Sequence, residues 1–411
     1  MITRKEAQRL DRADPFARKR KLFSIPRGMI YLDGNSLGVL PKAAGPRLKH
    51  AVDVEWGRDL ITSWNKHGWW ELPRVTGNKI ARLIGAEDGS VIVADTISVN
   101  LFKVLSAAVA KNRSRKIILS DSGNFPSDLY VAQGLTQFMA DGHVLKVVEP
   151  EQVMDNITED VAVVMITEVD YRSARRHDMK AITDKAHAKG ALMLWDLAHS
   201  VGAVPGRLME VNADFAVGCT YKYLNGGPGA PAFAFVHPRQ QKEIMPALVG
   251  WWGHAKPFAF APDFEPAGNI MRLQVGTQPM LNMVALDAAL DAWRGVDMEK
   301  LYAKGQKQCQ MFAELAEQRC ARFGISVHGT REWNARGSHV CLAHDEAYAV
   351  MQALIARKVV GDFRSPNLMR FGFTPLYVSY TDVYDAVEHL HQVLSKHLWD
   401  KPKFKAKAAV T

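Results

Sequence analysis

Two residues of opposite charge stand at comparable places in this sequence, Asp196 and Lys222. Asp196 closes the fully apolar run ALMLW (Ala191 to Trp195), and Lys222 follows FAVGC (Phe215 to Cys219) through Thr220 and Tyr221. Short apolar runs of this kind have the pattern of strands buried in a parallel sheet, so each would deliver its polar residue to a strand's carboxyl end. Glycines at 226, 227 and 229 then let the backbone turn sharply. A carboxylate and an amine at neighbouring strand ends are what pyridoxal phosphate chemistry requires. The amine forms a Schiff base, and the acid keeps the ring nitrogen protonated so that the ring accepts electrons. Taken singly, the same residues would be a helix-capping Asp and a surface lysine beside a turn. The two apolar approaches and the glycine exit favour the cofactor.

The surrounding segments WDLAHSVGAVP and GCTYKYLNGGPG resemble the kynureninase family of fold-type-I pyridoxal phosphate enzymes. GWWGH at Gly250 to His254 matches as well, as do YLDGNSLG at Tyr31 to Gly38, NFPSD at Asn124 to Asp128 and MRFGFTPLY at Met369 to Tyr377. These matches stand in the family's order and cover nearly the whole chain. The resemblance implies Lys222 as the Schiff-base residue and proton carrier, Asp196 on the pyridinium nitrogen, and Tyr221 for the phosphate and for proton relay. By the same resemblance Ile97 and Ser98 bind the phosphate, Phe125 stacks on the pyridine ring, and Asp128, Thr167 and His199 line the cofactor. Arg370 is implied as the clamp for the substrate carboxylate, with Asn35 and Ser36 on the substrate side and Trp64 facing the aryl ring. Trp251 and Thr277 would reach the phosphate from a neighbouring subunit, which implies a homodimer with shared sites.

On the residues alone several of these positions carry blander meanings. The loop at Asn35 and Ser36 would be a plain turn, and a lone His at 199 a satisfied core residue. An Arg on a strand, such as Arg370, is most often a salt-bridge partner. Trp64 stands in ITSWNKHGWWELP, where crowded aromatics read first as a packing plug. Thr96 to Ser98, in SVIVADTISVN, form a strand-to-helix turn whose amides and hydroxyls favour an anion. The family usually has Gly where this chain has Ala174, in YRSARRHDM. That departure would alter the local turn.

These residues need a scaffold that brings strand ends together. Apolar runs alternate with helical patterns from about 90 to 240, the signature of a mostly parallel α/β sheet with its site at the strands' carboxyl ends. KIILS, HVLKVVEP and VAVVMIT read as further strands. Beyond it come an amphipathic helix at PMLNMVALDAALDAW, a long helix over Met298 to Phe323, and short strands at ISVHG, HVCLA and LMRFGF. Helices are expected at Glu346 to Arg357 and Thr381 to Lys396, giving a smaller α+β domain. The expected division is a large cofactor-binding domain over 47–296 and a small domain made of 1–46 with 297–411. Near the N-terminus helices are expected at Thr3 to Arg12 and Phe16 to Leu22.

The chain has 411 residues, 47% of them hydrophobic and 23% charged, which is ordinary for a globular protein of two domains. No apolar run reaches the length of a membrane span and the N-terminus lacks an apolar signal core, so a cytoplasmic protein with no membrane association is expected. The net charge of +9 invites a nucleic-acid partner, but nine Lys/Arg against three acids fall in residues 1–28 and five against one in 396–411. The rest of the chain is close to neutral. The excess reads as solvated ends, with no nucleic-acid face. Cys219, Cys309, Cys320 and Cys341 have no paired spacing, so no disulfide framework and no metal site is expected.

The activity implied by the resemblance is hydrolytic Cβ–Cγ cleavage of kynurenine to anthranilate and alanine, as in tryptophan degradation by the kynurenine pathway and NAD biosynthesis. A ring hydroxyl on the substrate would be handled more weakly. The animal members carry His and Asn at the positions of Trp64 and Thr277, polar groups able to meet it, although His67 stands three residues from Trp64. The nearest rival is a cysteine desulfurase of the same fold. Such an enzyme needs a reactive cysteine on a mobile loop and usually has His before the lysine, whereas this chain has Tyr221 there and Cys341 in an apolar strand pattern. A yellow protein with a visible absorption band would separate the cofactor enzyme from an RNA- or membrane-associating one.

Overall fold

The computed structural model describes residues 2–407. Seven strands make the central sheet: β1 (Val91–Val93), β2 (Ile117–Asp121), β3 (Val144–Val148), β4 (Val161–Thr167), β5 (Leu192–Asp196), β6 (Phe215–Gly218) and β7 (Phe233–Val236). Their order is β1-β7-β6-β5-β4-β2-β3, and β7 alone runs antiparallel to the rest. The strands β4, β5 and β6 are buried at every residue, because helices cover both faces of a parallel sheet and leave no position for water. The edge strand β3 has only exposed and half-buried residues.

The apolar runs at Ala191 and Phe215 thus became adjacent parallel strands, in which Thr167 sits level with Asp196 and Asp196 with Val217. Polar residues that end these strands are gathered at one edge, where the chain leaves the sheet. The antiparallel β7 had no separate signal, since FAFV lacks any cue to direction.

A second sheet of four antiparallel strands lies in the C-terminal part: β8 (Ser326–His328), β9 (His339–Ala343), β10 (Asp362–Arg364) and β11 (Leu368–Gly372), in the order β10-β11-β9-β8. The long helix Met298–Cys320 and the helix Tyr380–Ser395 flank it, and Phe312 packs on Phe371 and Phe373 with ring centroids 4.8 and 5.3 Å apart. The loop after Tyr31 reaches from this part to the central sheet's edge. Gly38 donates its N–H to the Tyr221 carbonyl at 2.7 Å, and a Cβ at Gly38 would lie 2.3 Å from the Lys222 carbonyl oxygen. Only glycine permits that approach.

The N-terminal arm is not solvated, contrary to the charge pattern. Helix Arg4–Ala13 is opened by a Thr3–Glu6 capping box and docks on the start of helix Tyr380–Ser395. Asp11 accepts from the Tyr380 and Thr381 amides at 2.6 and 3.0 Å, Arg4 pairs with Asp385 at 2.8 Å, and Ala7 is fully buried. The helix docks through Ala7, Asp11 and Arg4 while Lys5, Arg9 and Arg12 stay exposed, so a net-charge count saw only the solvent side. At the other end, Pro402–Lys405 forms a short helix and Tyr348 donates to the Ala406 carbonyl at 3.1 Å. The last four residues of the expected tail lie outside the described residues. No helix among the described residues is long and apolar enough to cross a membrane.

Candidate active site

At the carboxyl edge of β5, Asp196 is buried and its Oδ1 accepts the Ala198 amide at 2.7 Å. Three residues on, His199 is buried too, and its Nε2 lies 2.9 Å from Lys222 Nζ. The Lys222 amine is also 5.8 Å from the centre of the Phe125 ring and 5.9 Å from that of Tyr221. Phe125 caps helix Pro126–Met139, whose first turn carries Asp128. Its ring is edge-on to Tyr171 at 5.2 Å and 37% exposed, so one apolar face remains open beside the amine.

Burial raises the Asp196 carboxyl, with the Lys222 charge pulling it back. Asp128 is pushed well above the carboxylate range by burial and then by Asp196, and Lys222 offsets this only in part. His199 falls well below its ordinary value through burial and then the Lys222 charge; it is a neutral imidazole that can accept from an ammonium. Tyr221 is raised by burial and stays a phenol, able to give a proton. Among the described residues Asp128 Oδ2 and His199 Nδ1 have no hydrogen-bond partner, and buried polar atoms of that kind call for one.

Ile97 and Ser98 begin the helix Ile97–Lys111, with Thr96 as its N-cap. The turn is anchored from below. Lys103, fully buried, donates to Asp95 Oδ2 at 2.7 Å and to the Leu273 carbonyl at 2.6 Å, and the Asp95 amide donates to Gln278 at 2.9 Å. An anion at this helix start would meet free amides and the positive end of the helix dipole. Thr167 is buried beside Asp196 and donates to the Val169 carbonyl at 3.2 Å.

Arg370 on β11 is a buried ion-pair partner. Its Nε and Nη2 fork onto Asp362 at 3.0 and 2.5 Å, Nη2 also reaches Ser36 Oγ at 2.8 Å, and Nη1 donates to the Tyr171 carbonyl at 3.0 Å. Arg364 shares Asp362 at 2.6 Å. Burial works to raise Asp362, yet the two arginines outweigh it and hold the carboxyl below its ordinary value. Asp33 behaves oppositely, pushed up to about 7 by burial and by the Asp362 charge, against Ser36 and the arginines. Asn35 is fully buried with neither side-chain amide atom partnered among the described residues.

Three expected residues stand apart from this cluster. Trp64 packs edge-on against Trp69, Trp70 and Trp252 at 6.0, 6.4 and 5.4 Å, the plug that its neighbours alone suggested. Trp251 stacks on Trp252 at 5.9 Å and is 43% exposed, and Thr277 is exposed. Among the described residues none of the three makes a hydrogen bond or ring contact with Lys222. His67 is committed to Asp59 at 2.7 Å. His50, Glu55 and His67 form a cluster of metal-ligand type, but Arg47 at 2.7 Å and the Trp69 indole at 2.8 Å already occupy Glu55. His339, Asp362 and Arg364 had no sequence signal, since they meet only through the pairing of β9, β10 and β11, and Asp33 joins them through a bridge from the loop after Tyr31 to Gly372.

Residues 301–390 match the model of the kynureninase C-terminal domain. Kynureninase of Pseudomonas fluorescens is 47% identical over the whole of both chains, and that of Burkholderia pseudomallei strain K96243 is 48% identical over the whole of both. The chain belongs to the kynureninase family. Solved structures give the fold independently. A cysteine desulfurase from Thermococcus onnurineus NA1 superposes with a TM-score of 0.77 at 16% identity, over 92% of this chain and 98% of that one. A C-DES mutant with glycine covalently linked to its PLP cofactor gives 0.79 at 14%, over 90% and 98%. These show the fold alone. All four cysteines here are buried, so the loop thiol a desulfurase needs is not among them.

Proposed function

We propose that the chain is a pyridoxal-phosphate-dependent kynureninase, hydrolysing L-kynurenine to anthranilate and L-alanine. The observation that carries this reading is the meeting of Lys222, His199, Asp196 and Asp128 at one strand edge, in a chain nearly half identical to kynureninases along its full length. The residues fit the cofactor. Asp196 would hold the ring nitrogen, with Asp128 and the unpartnered His199 Nδ1 at the ring's polar edge. Phe125 offers a flat apolar face, and the amides at Ile97 and Ser98 an anion cradle. Bound there through Lys222, pyridoxal phosphate supplies a ring that takes up the electron pair freed at the substrate's α-carbon.

The protein's own part is to hold and move protons. Lys222, once released by the incoming amine, removes the α-proton, and neutral His199 accepts a hydrogen bond from its ammonium. Water adds to the substrate's γ-carbonyl, the Cβ–Cγ bond breaks, the carbonyl carbon leaves as the carboxylic acid of anthranilate, and Cβ takes a proton. Tyr221, held as a phenol beside Lys222, is the donor for that step. Arg370 receives the substrate carboxylate, with Asn35 and Ser36 beside it. Incubation with L-kynurenine should yield anthranilate fluorescence together with a visible absorption band of the protein; absence of both would overturn the reading.

The site is shared between two subunits of a homodimer, Trp251 and Thr277 serving the partner's phosphate. Support comes from their exposure and from the exposed Phe258 and Phe260 next to them. Mixing Lys222→Ala and Trp251→Ala chains, each impaired alone, should restore activity by forming one intact site per hybrid. Trp64 and Thr277 disfavour a ring hydroxyl on the substrate, because an unpaired buried hydroxyl costs about 1 to 3 kcal/mol, roughly 5- to 150-fold in kcat/KM. His67, tied to Asp59, is not free to offset this. Equal kcat/KM for kynurenine and 3-hydroxykynurenine would refute the preference. The reaction's place in tryptophan catabolism or NAD synthesis, and a cytoplasmic location, belong to the same reading.

A further inference from the structure

A guanidinium carries five N–H groups, and Arg370 has committed four of them: two to Asp362, one to Ser36 and one to the Tyr171 carbonyl. One N–H on Nη1 remains. A carboxylate presents two oxygens and about four lone-pair directions, so Arg370 cannot grip it as a fork and the remaining bonds must come from elsewhere.

Two side chains next to it have donors to spare. His339, the first residue of β9, is fully buried and neither ring nitrogen has a hydrogen-bond partner among the described residues. It lies directly across from Gly372 in the antiparallel pair of β9 with β11, and residues so opposed project to the same face of a sheet. The place where a Gly372 side chain would stand is filled by Asn35, whose Oδ1 lies 1.8 Å from the Cβ such a residue would carry. Asn35 and His339 are therefore neighbours on one face. Arg370, two residues before Gly372 on β11, projects to that face as well. On its other side the His339 ring is 5.9 Å from that of His199, which touches Lys222. Burial and the Arg370 charge hold His339 well below its ordinary value, so it is neutral, with one nitrogen a donor.

We propose that His339 is a substrate-binding residue, donating a hydrogen bond to the α-carboxylate of the amino acid alongside the one free N–H of Arg370 and the Asn35 amide. The inference rests on the reading of this site as one for an amino acid. It explains why two buried side chains carry four unpartnered polar atoms beside an arginine, an arrangement costly to folding unless a ligand satisfies it. It also explains how an arginine already neutralised by Asp362 serves as a clamp: selectivity comes from converging donors more than from net charge.

The test is a titration of the holoenzyme's visible spectrum with L-alanine, the carboxylate-bearing product, and with ethylamine, which lacks the carboxylate. His339→Leu should weaken L-alanine about tenfold or more, the loss of one hydrogen bond to a charged group, and leave ethylamine unchanged. His339→Gln, which keeps a donor, should stay within about threefold of the native protein, and KM for kynurenine should follow the alanine affinity with kcat changing less. Unchanged alanine binding in His339→Leu, or equal losses for alanine and ethylamine, overturns the proposal. If His339→Leu does not fold, His339→Phe is read in the same way. A native protein that turns over kynurenine while His339→Leu binds alanine normally would sink this inference alone, whereas a native spectrum unmoved by alanine would sink the reading beneath it.

Discussion

Among the described residues Lys222 is the lysine whose charge acts on both Asp196 and Asp128, so Lys222→Ala should abolish both the visible absorption band and anthranilate release. A variant that keeps either removes the lysine from its role. Asp196→Ala should lower kcat by more than about tenfold, or about 1.4 kcal/mol in barrier, because an unprotonated ring nitrogen makes a poor electron sink. Activity within that limit would count against the assignment. The pH dependence of binding should belong to Asp33. Below about 7 its carboxyl is protonated, and Arg364 and Arg370 against Asp362 leave one surplus positive charge for the substrate. As pH rises through about 7 Asp33 ionises and cancels that surplus, so KM for kynurenine should rise. Asp33→Asn should flatten the rise; a KM profile identical to the native one would show that another group titrates.

At the scale of elements, the departure at Ala174 has a conformational consequence. Its φ is +60°, within the left-handed region that favours glycine, and the turn is pinned by Ala174 N–H donating to Asp170 and Gly337 N–H to Ala174, at 3.0 and 2.8 Å. The left-handed conformation costs a side-chain-bearing residue about 1 to 2 kcal/mol, and glycine's larger unfolded-state entropy gives part of that back. Ala174→Gly should therefore stabilise the protein by up to about 1 kcal/mol, read as a higher denaturant midpoint at constant slope. A lower midpoint would mean that the buried methyl outweighs the strain.

For the whole molecule, the docked N-terminal helix ties the chain's first residues to its last long helix. Deleting residues 1–12 removes buried Ala7, the Asp11 bonds to the Tyr380 and Thr381 amides, and the Arg4–Asp385 pair. The loss should be about 2 kcal/mol, dominated by the two amides left without an acceptor. An unfolding midpoint equal to that of the full chain would restore the view of a solvated arm. We propose the division into 47–296 and 1–46 with 297–411 on the same ground, since these contacts join the N-terminal segment to the C-terminal part.

Much of this was legible in the residues. Apolar runs of strand length ending in Asp196 and Lys222 implied a parallel sheet and the two groups at its edge, since burial on both faces leaves a run with no polar position until it ends. Phe125, Asp128, Thr167 and His199 could be assigned only through resemblance, because each singly is an ordinary residue at the end of an element. Three things needed the tertiary structure. The reversed strand β7 carries no composition that marks its direction. The N-terminal helix docks through pairs between residues some 370 apart in sequence, so a charge count taken locally sees only a basic arm. His339, Asp362 and Arg370 are brought together by strand register, and the loop carrying Asp33 and Asn35 docks on them at Gly372 from the far end of the chain; register and docking depend on which side chains fill the space between elements, and no local sequence pattern encodes that.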